Sequence, residues 1–374
     1  MMKRKILFFI ESFSGGGAEK VLITLLSHLD YSKYDVGVLT ISDVGTHKKK
    51  FEELRICNPS HLKYKTICGT GEGIWQKSLY KLIYNYLPLW LVCRFFVPNG
   101  YDTYVAFIEG FCTKVLSYKE GRKVAWVHID LQSFPWTIHT GIYRNIEEER
   151  RVYDKYEKVV CVSRSVESVM TDYYGLQNTI TIYNPIDVEE IRKKADETII
   201  PMESSFNIIS IGRLVVQKGY DLLIPIIERL KHQGLNVRLY ILGEGNERES
   251  LEQMIVNDCL EGIVYLMGYV ENPYPYIKKA DLFVCSSRAE GYSLVVAESL
   301  TLGTPVVSMR CSGPEEVLDE GRYGLLCNSY DEFEETLAMV VEDREKYISL
   351  KEKTKKAWRR FDIRKTMEQI ENVL

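Results

Sequence analysis

The sequence has no Cys-x-x-Cys pair, no Asp-x-Asp step and no apolar run of membrane-spanning length. Each absence excludes a class. Its nine cysteines are odd in number, scattered at positions such as Cys57, Cys93, Cys161 and Cys285, and share no metal-ligand spacing with the six histidines. That pattern argues against a disulfide framework or structural zinc and for reduced thiols in a cytoplasmic protein. Without Asp-x-Asp, no metal clamp on a diphosphate is indicated, and no cofactor is expected. The basic opening "MMKRKILFFIESF" imitates an export signal, but its apolar run covers only Ile6 to Ile10 and stops at Glu11. It is expected to be a first β-strand of a protein that stays in the cytoplasm. The longest apolar candidate, "YLPLWLVCRFFVP", is short and interrupted by Arg94, so no transmembrane span is expected. Nucleic-acid motifs are also missing, and no nucleic-acid partner is expected.

What remains is a chain of 374 residues, too long for one core, whose net charge of −4 hides an uneven distribution. Residues 1 to 188 carry 24 Lys and Arg against 20 Asp and Glu, a balance of +4; the remainder carries 24 against 32, or −8. A mildly basic first half suits an anionic membrane surface or a phosphate-bearing substrate.

Strand-like and helix-like runs alternate almost from end to end, the pattern of parallel sheets built from βαβ units, so the class is α/β. Apolar runs at 5–12, 35–41, 103–109, 123–129 and 158–163 predict one series of buried strands; runs at 206–214, 237–245, 263–270, 281–287 and 304–309 predict a second. Helices are predicted near 220–233, 246–258, 273–279 and 292–302. The polar, proline-bounded "NPIDVEEIRKKADETIIPMESS" reads as a linker. The expected organisation is a Rossmann-like domain at 1–187, a linker at 188–203 and a second Rossmann-like domain at 204–360. A last helix at 361–374 is expected to cross back to the first domain. Such domains are expected to face each other across a cleft at the carboxyl ends of both sheets.

The chemistry-bearing stretches follow predicted strands. "SGGGAEK" (14–20) opens a helix with Gly15, Gly16 and Gly17, which lets backbone approach a phosphate or sugar, or simply allows a tight turn. "GRLVVQKGYD" offers Gly212, Arg213 and Lys218; two cations at a strand end suit a departing diphosphate, although two surface charges explain them as well. "SRAEGYSLVVAESL" places Glu290 before a helix start and Glu298 within it, with the amides of Ser293 and Leu294 between. Those first-turn N–H groups form an anion site. The carboxylates are spaced for the sugar hydroxyls at the two ends of a nucleoside diphosphate sugar, or are a dipole-favoured acid and a solvated helix residue. "WVHID" puts His128 at a strand end, as a hydrogen-bond donor to a sugar or as a structural histidine.

Taken in order, "GGGAEK", "WVHID", "GRLVVQKG", "GEGNE", "MGYV" and "SRAEGYSLVVAESLTLGTPVV" resemble the retaining glycosyltransferases of family 4, which have the GT-B fold, over nearly the whole chain. The stretch "CSGPEEVLDEGRYGLLC" is similar to bacterial polysaccharide-assembly members. The resemblance implies that Glu290 lies by the donor hexose, that Glu298 binds the ribose, and that Arg213 and Lys218 hold the diphosphate. It also implies backbone contact with the base at Tyr269 and Val270, a donor-facing His128, and a glycine loop between donor and acceptor. Family members often carry Gly at the place of Ser293, and Asn-Gly-Val-Asp where "NPID" (184–187) stands.

The expected function is transfer, without a metal, of a hexose or N-acetylhexosamine from a nucleotide sugar, with UDP the first choice. The expected acceptor is a hydroxyl of a glycan or lipid-linked glycan in cell-surface polysaccharide synthesis. Two alternatives are a UDP-sugar epimerase on the same fold and a non-catalytic nucleotide-sugar-binding subunit. The segment 75–98, alternating basic, aromatic and aliphatic residues, either lies on an anionic membrane or packs into the core.

Overall fold

The computed structural model describes residues 3–14, 16–70, 73–198, 200, 202 and 204–374. The chain divides into two units, residues 1–185 with 364–374, and residues 186–363.

The first unit carries seven parallel strands: β1 (Arg4–Ile10), β2 (Tyr34–Thr40), β3 (Leu62–Thr66), β4 (Thr103–Ala106), β5 (Arg122–Val127), β6 (Lys158–Cys161) and β7 (Thr179–Thr181). They pair in the order β3-β2-β1-β4-β5-β6-β7. Ile6 through Ile10 are all buried, because helices cover both faces of a parallel sheet and leave no position for a polar side chain. The order reverses at β1, between β2 and β4, which is where open α/β sheets bind ligands.

The second unit repeats the plan with β8 (Phe206–Ile211), β9 (Val237–Leu242), β10 (Val264–Gly268), β11 (Leu282–Cys285), β12 (Val306–Met309) and β13 (Leu325–Cys327). Their order, β10-β9-β8-β11-β12-β13, reverses at β8. Both units are Rossmann-like α/β domains.

Three strands escape the apolar-run pattern. All are short or at an edge. β3 reads Leu-Lys-Tyr-Lys-Thr and exposes both lysines, as edge strands do; β7 and β13 have three residues each.

The expected linker at 188–203 is corrected. Residues Val188–Ala195 form a helix whose N-cap Asp187 accepts a hydrogen bond from the Glu190 amide. Ile191 and Ala195, one turn apart, enter the second unit's core beside Phe283, Val296 and Leu300. Five charged residues on the other face, Glu189, Glu190, Arg192, Lys193 and Lys194, made an amphipathic helix look like a tether. At the far end, the helix Ile363–Val373 buries Met367, Ile370 and Val373. Within the first unit Lys33 pairs with Glu371 at 3.0 Å, and the Leu374 carbonyl accepts from Thr103 Oγ1 and Arg122.

Candidate functional site

At the reversal point of the second sheet two loops meet, residues 212–219 after β8 and 286–293 after β11. They are fastened to each other through backbone. The Arg288 amide donates to Gln217 O at 2.8 Å, Gln217 Nε2 to Ala289 O at 2.7 Å, and Ser286 Oγ to Lys218 O at 2.8 Å. Arg288 also forks onto Asp221 at 2.8 and 2.7 Å. Gly219 has a φ of 68°, and a Cβ there would lie 2.2 Å from Ser286 O, so only glycine lets the loops close.

Inside this frame Lys218 Nζ lies 2.5 Å from Glu290 Oε1, and Ser287 Oγ donates to the same oxygen at 2.7 Å. Glu290 is 9% exposed. Desolvation works to discharge Lys218, but the Glu290 carboxylate and its hydrogen bond outweigh it and hold the ammonium above the usual lysine range. Lys218 is therefore a fixed cation, and the reading of it as a solvated surface charge is excluded. A Cβ at Gly212 would come within 3.0 Å of both Lys218 Cε and Tyr220 Oη, so the glycine makes room for the lysine stem. Arg213, by contrast, is exposed, and its guanidinium has no hydrogen bond or ion pair among the described residues.

The helix Leu294–Leu302 starts at the same place, with Ser293 as its N-cap. Ser293 is 1% exposed, and its Oγ has no hydrogen-bond partner. An N-cap hydroxyl ordinarily accepts from the first turn; this one does not, so no side-chain cap occupies the first-turn N–H groups. The adjoining wall needs Gly313, whose Cβ would sit 3.0 Å from Ser293 N. Glu298, one turn further, is 2% exposed, so it is no solvated helix residue. The third loop completes the rim. Gly243 N donates to Gly268 O at 2.8 Å, and a Cβ on Gly243 would lie 1.9 Å from Gly212 O. Beyond Gly268, Tyr269 is exposed and Val270 packs partly against the core.

In the first unit Gly16 is the N-cap of the helix Gly17–His28; Gly15 lies outside the described residues. A Cβ on Gly16 would be 2.4 Å from Glu19 Oε2. The glycine loop thus lies against a buried carboxylate, which repels a phosphate and suits a hydroxyl. His128 follows β5. Its Nε2 lies 3.0 Å from Phe107 O, so that nitrogen carries the proton, and burial lowers its pKa to about 4. The neutral ring has only Nδ1 left to offer, an acceptor, which corrects the expectation that His128 donates to a sugar.

Two family profiles together match residues 15–357: "Glycosyltransferase Family 4" over residues 15–190 and "Glycosyl transferases group 1" over residues 172–357. The chain is a GT-B glycosyltransferase. Among its relatives is the N-acetylgalactosamine-N,N'-diacetylbacillosaminyl-diphospho-undecaprenol 4-alpha-N-acetylgalactosaminyltransferase of Campylobacter jejuni, 29% identical over 96% of both chains. The amylovoran biosynthesis glycosyltransferase AmsD of Erwinia amylovora is 24% identical over 85% of both. In fold it is similar to Anabaena HepE, solved in complex with UDP and glucose, at a TM-score of 0.76 and 21% identity over 99% of this chain and 98% of that one.

The first unit of the glycosyltransferase also holds acids that sequence reasoning missed. Glu11 follows β1 and Glu109 lies just beyond β4, flanking the first sheet's reversal point. Glu109 Oε2 accepts from the His128 amide at 3.0 Å. Burial pushes Glu11 up to about 7; a hydrogen bond from Tyr84 opposes this, and the Glu109 and Glu19 charges add to it. The signal was present: "FFIES" and "AFIEG" each end an apolar strand run on a glutamate.

Among the described residues, no group of three or more His, Cys, Asp or Glu is arranged to hold a metal ion. No helix among them is long and apolar enough to cross a membrane.

Proposed function

We propose that this glycosyltransferase moves a hexose or N-acetylhexosamine from a UDP-sugar to a hydroxyl of a glycan or lipid-linked glycan in cell-surface polysaccharide synthesis. The product keeps the donor's anomeric configuration, no metal is needed, and the enzyme works at the inner face of the membrane. The observation that carries the proposal is the constellation of Lys218, Arg213, the unpartnered Ser293 hydroxyl and the first-turn amides of the Leu294–Leu302 helix. All four are donors for the charge that grows on a departing diphosphate, and Lys218 is held in place by Glu290. UDP as the nucleotide is supported by HepE, solved with UDP and glucose, and by TarM of S. aureus, solved with UDP. A lipid-linked acceptor is supported by the Campylobacter relative, named for a diphospho-undecaprenol glycan.

In the proposed site the buried Glu298 accepts from the ribose hydroxyls, Tyr269 and Val270 border the base, and Glu290 lies by the hexose. His128 Nδ1 accepts from a sugar hydroxyl, and Gly16 and Gly17 let donor and acceptor approach. The bond from the anomeric carbon to the diphosphate oxygen breaks on the face where the acceptor oxygen attacks. The acceptor proton passes to the departing phosphate, so no protein base is required.

A panel of nucleotide sugars incubated without acceptor tests this. One UDP-sugar should release UDP slowly to water, at an unchanged rate in EDTA, and NMR should show a first-formed sugar of retained configuration. Conversion of a UDP-sugar to its epimer without UDP release would establish the epimerase instead. UDP binding without turnover of any donor would leave a binding subunit.

A smaller prediction concerns Ser293. A buried hydroxyl without a partner costs about 1–3 kcal/mol, so Ser293→Ala should raise Tm. The same change removes a phosphate donor and should weaken UDP binding by roughly tenfold. Calorimetric titration beside thermal unfolding reads both; unchanged UDP affinity would remove the hydroxyl from the site.

A further inference from the structure

Residues 73 to 101 contain no aspartate or glutamate, while Lys77, Lys81 and Arg94 are present and exposed. The segment folds as two short helices, Ile74–Asn85 and Leu89–Phe96, broken at Pro88. The first is held to its domain by one side only. Ile83 is its one buried residue, and Tyr84 stacks on Phe111 at 4.1 Å between ring centroids. A different side carries Trp75, Leu82 and, at the C-cap, Tyr86, spaced by seven and four residues and so aligned in one stripe. Trp75 is 88% exposed and Tyr86 77%. On the second helix Trp90 and Phe95 are exposed as well. One side of each helix packs into the core, through Ile83 on the first and Val92 and Cys93 on the second, and the exposed aromatic residues lie outside it.

We propose that this stripe docks the enzyme on an anionic lipid bilayer, lying in the interface without crossing it. The inference deepens the reading of a lipid-linked acceptor at the inner membrane face, and rests on it. Two features of the surface select this partner. Tryptophan and tyrosine are the residues that settle at the headgroup level, and an aliphatic residue lies between them. Within residues 73–101 the charge has one sign, which complements anionic headgroups. A helix of twelve residues is roughly 18 Å long, too short to span the hydrocarbon core.

Flotation of the full-length protein with vesicles of phosphatidylglycerol or of phosphatidylcholine tests the docking surface. Binding is expected to the anionic vesicles at low salt, and to fall as salt is raised. The Trp75→Ser, Leu82→Ser, Tyr86→Ser variant should lose at least about tenfold in partition coefficient, since burying apolar surface drives interfacial binding. The Lys77→Glu, Lys81→Glu variant should lose a similar factor or more, at roughly fivefold for each cation near the surface. Donor hydrolysis to water should be unchanged in both variants, which shows that they are folded. Wild-type protein that stays with the unbound fraction, or apolar variants that float like wild type, would overturn the proposal. A wild-type dimer in sedimentation that the serine variant abolishes would assign the stripe to a second copy of the chain. Failure of the functional reading looks different: no UDP-sugar is hydrolysed, whatever the flotation result.

Discussion

Lys218→Ala and Arg213→Ala should each lower turnover by a factor on the order of a hundred or more, the usual cost of removing one donor that meets developing negative charge. The two variants differ in what else they disturb. Arg213 is exposed and makes no hydrogen bond or ion pair among the described residues, so its loss should leave Tm unchanged. Lys218 is one half of a largely buried pair, 2.5 Å from Glu290 Oε1. Removing it strands the carboxylate, which costs about 3–5 kcal/mol when a buried pair loses one partner. Lys218→Ala should therefore be both slow and thermally weak. The double variant Lys218→Met, Glu290→Gln removes both charges and should recover most of the stability, but not the turnover. Arginine should substitute poorly at 218, because its planar fork does not reproduce the compact ammonium that lies 2.5 Å from Glu290 Oε1. Near-normal kcat in both single variants, measured by UDP release, would sink the assignment of the diphosphate site.

How far these residues were legible in the sequence depended on where their partners came from. The strand runs were plain because buried parallel strands are continuously apolar, and the loops that follow them carry the site. Lys218 and Glu290 stand 72 residues apart in the chain. Their pairing needs β8 and β11 to be neighbours, and strand order is set by tertiary packing that no local pattern encodes. Spacing placed Glu290 and Glu298 at a helix start but could not tell a buried acid from a solvated one. Ser293 was legible as an amide position only; that its hydroxyl lacks a partner depends on the path of the loop around it. His128 shows a further limit, because its donor or acceptor character is decided by the Phe107 carbonyl, which the sequence does not bring near. Glu11 and Glu109 were passed over since a glutamate ending a strand looks like a surface residue. Val188–Ala195 was mistaken for a tether because only two of its eight residues are buried.

Glu149→Gln should stabilise the protein at alkaline pH and change nothing in acid. Glu149 is fully buried in the first unit, where it accepts from Thr137 Oγ1 at 3.0 Å and from Tyr174 Oη at 2.8 Å. Burial raises its carboxyl from 4.5 to about 7; the two hydrogen bonds oppose this, and the Glu109 charge adds to it. Between those values the folded protein holds a proton that the unfolded chain has released. Stability therefore falls as pH rises through the window, by about 1.4 kcal/mol per pH unit and roughly 3 kcal/mol in all. Glutamine cannot ionise, so the variant escapes that loss. Glu11, also raised to about 7, contributes a second loss of the same sign that the variant keeps. His128 and His47 act in the opposite direction. Burial lowers both from 6.5 to about 4, so the unfolded chain holds more protons in that window and stability rises with pH. Burial raises Glu109 as well, a third loss of the same sign, so the losses outnumber the two gains and wild-type stability should fall as pH rises above about pH 4.5. The Tm curves of wild type and Glu149→Gln should meet below about pH 4.5 and separate steadily up to about pH 8. Parallel curves across that range would mean that Glu149 is ionised throughout, stabilised by its two hydroxyl donors in spite of its burial.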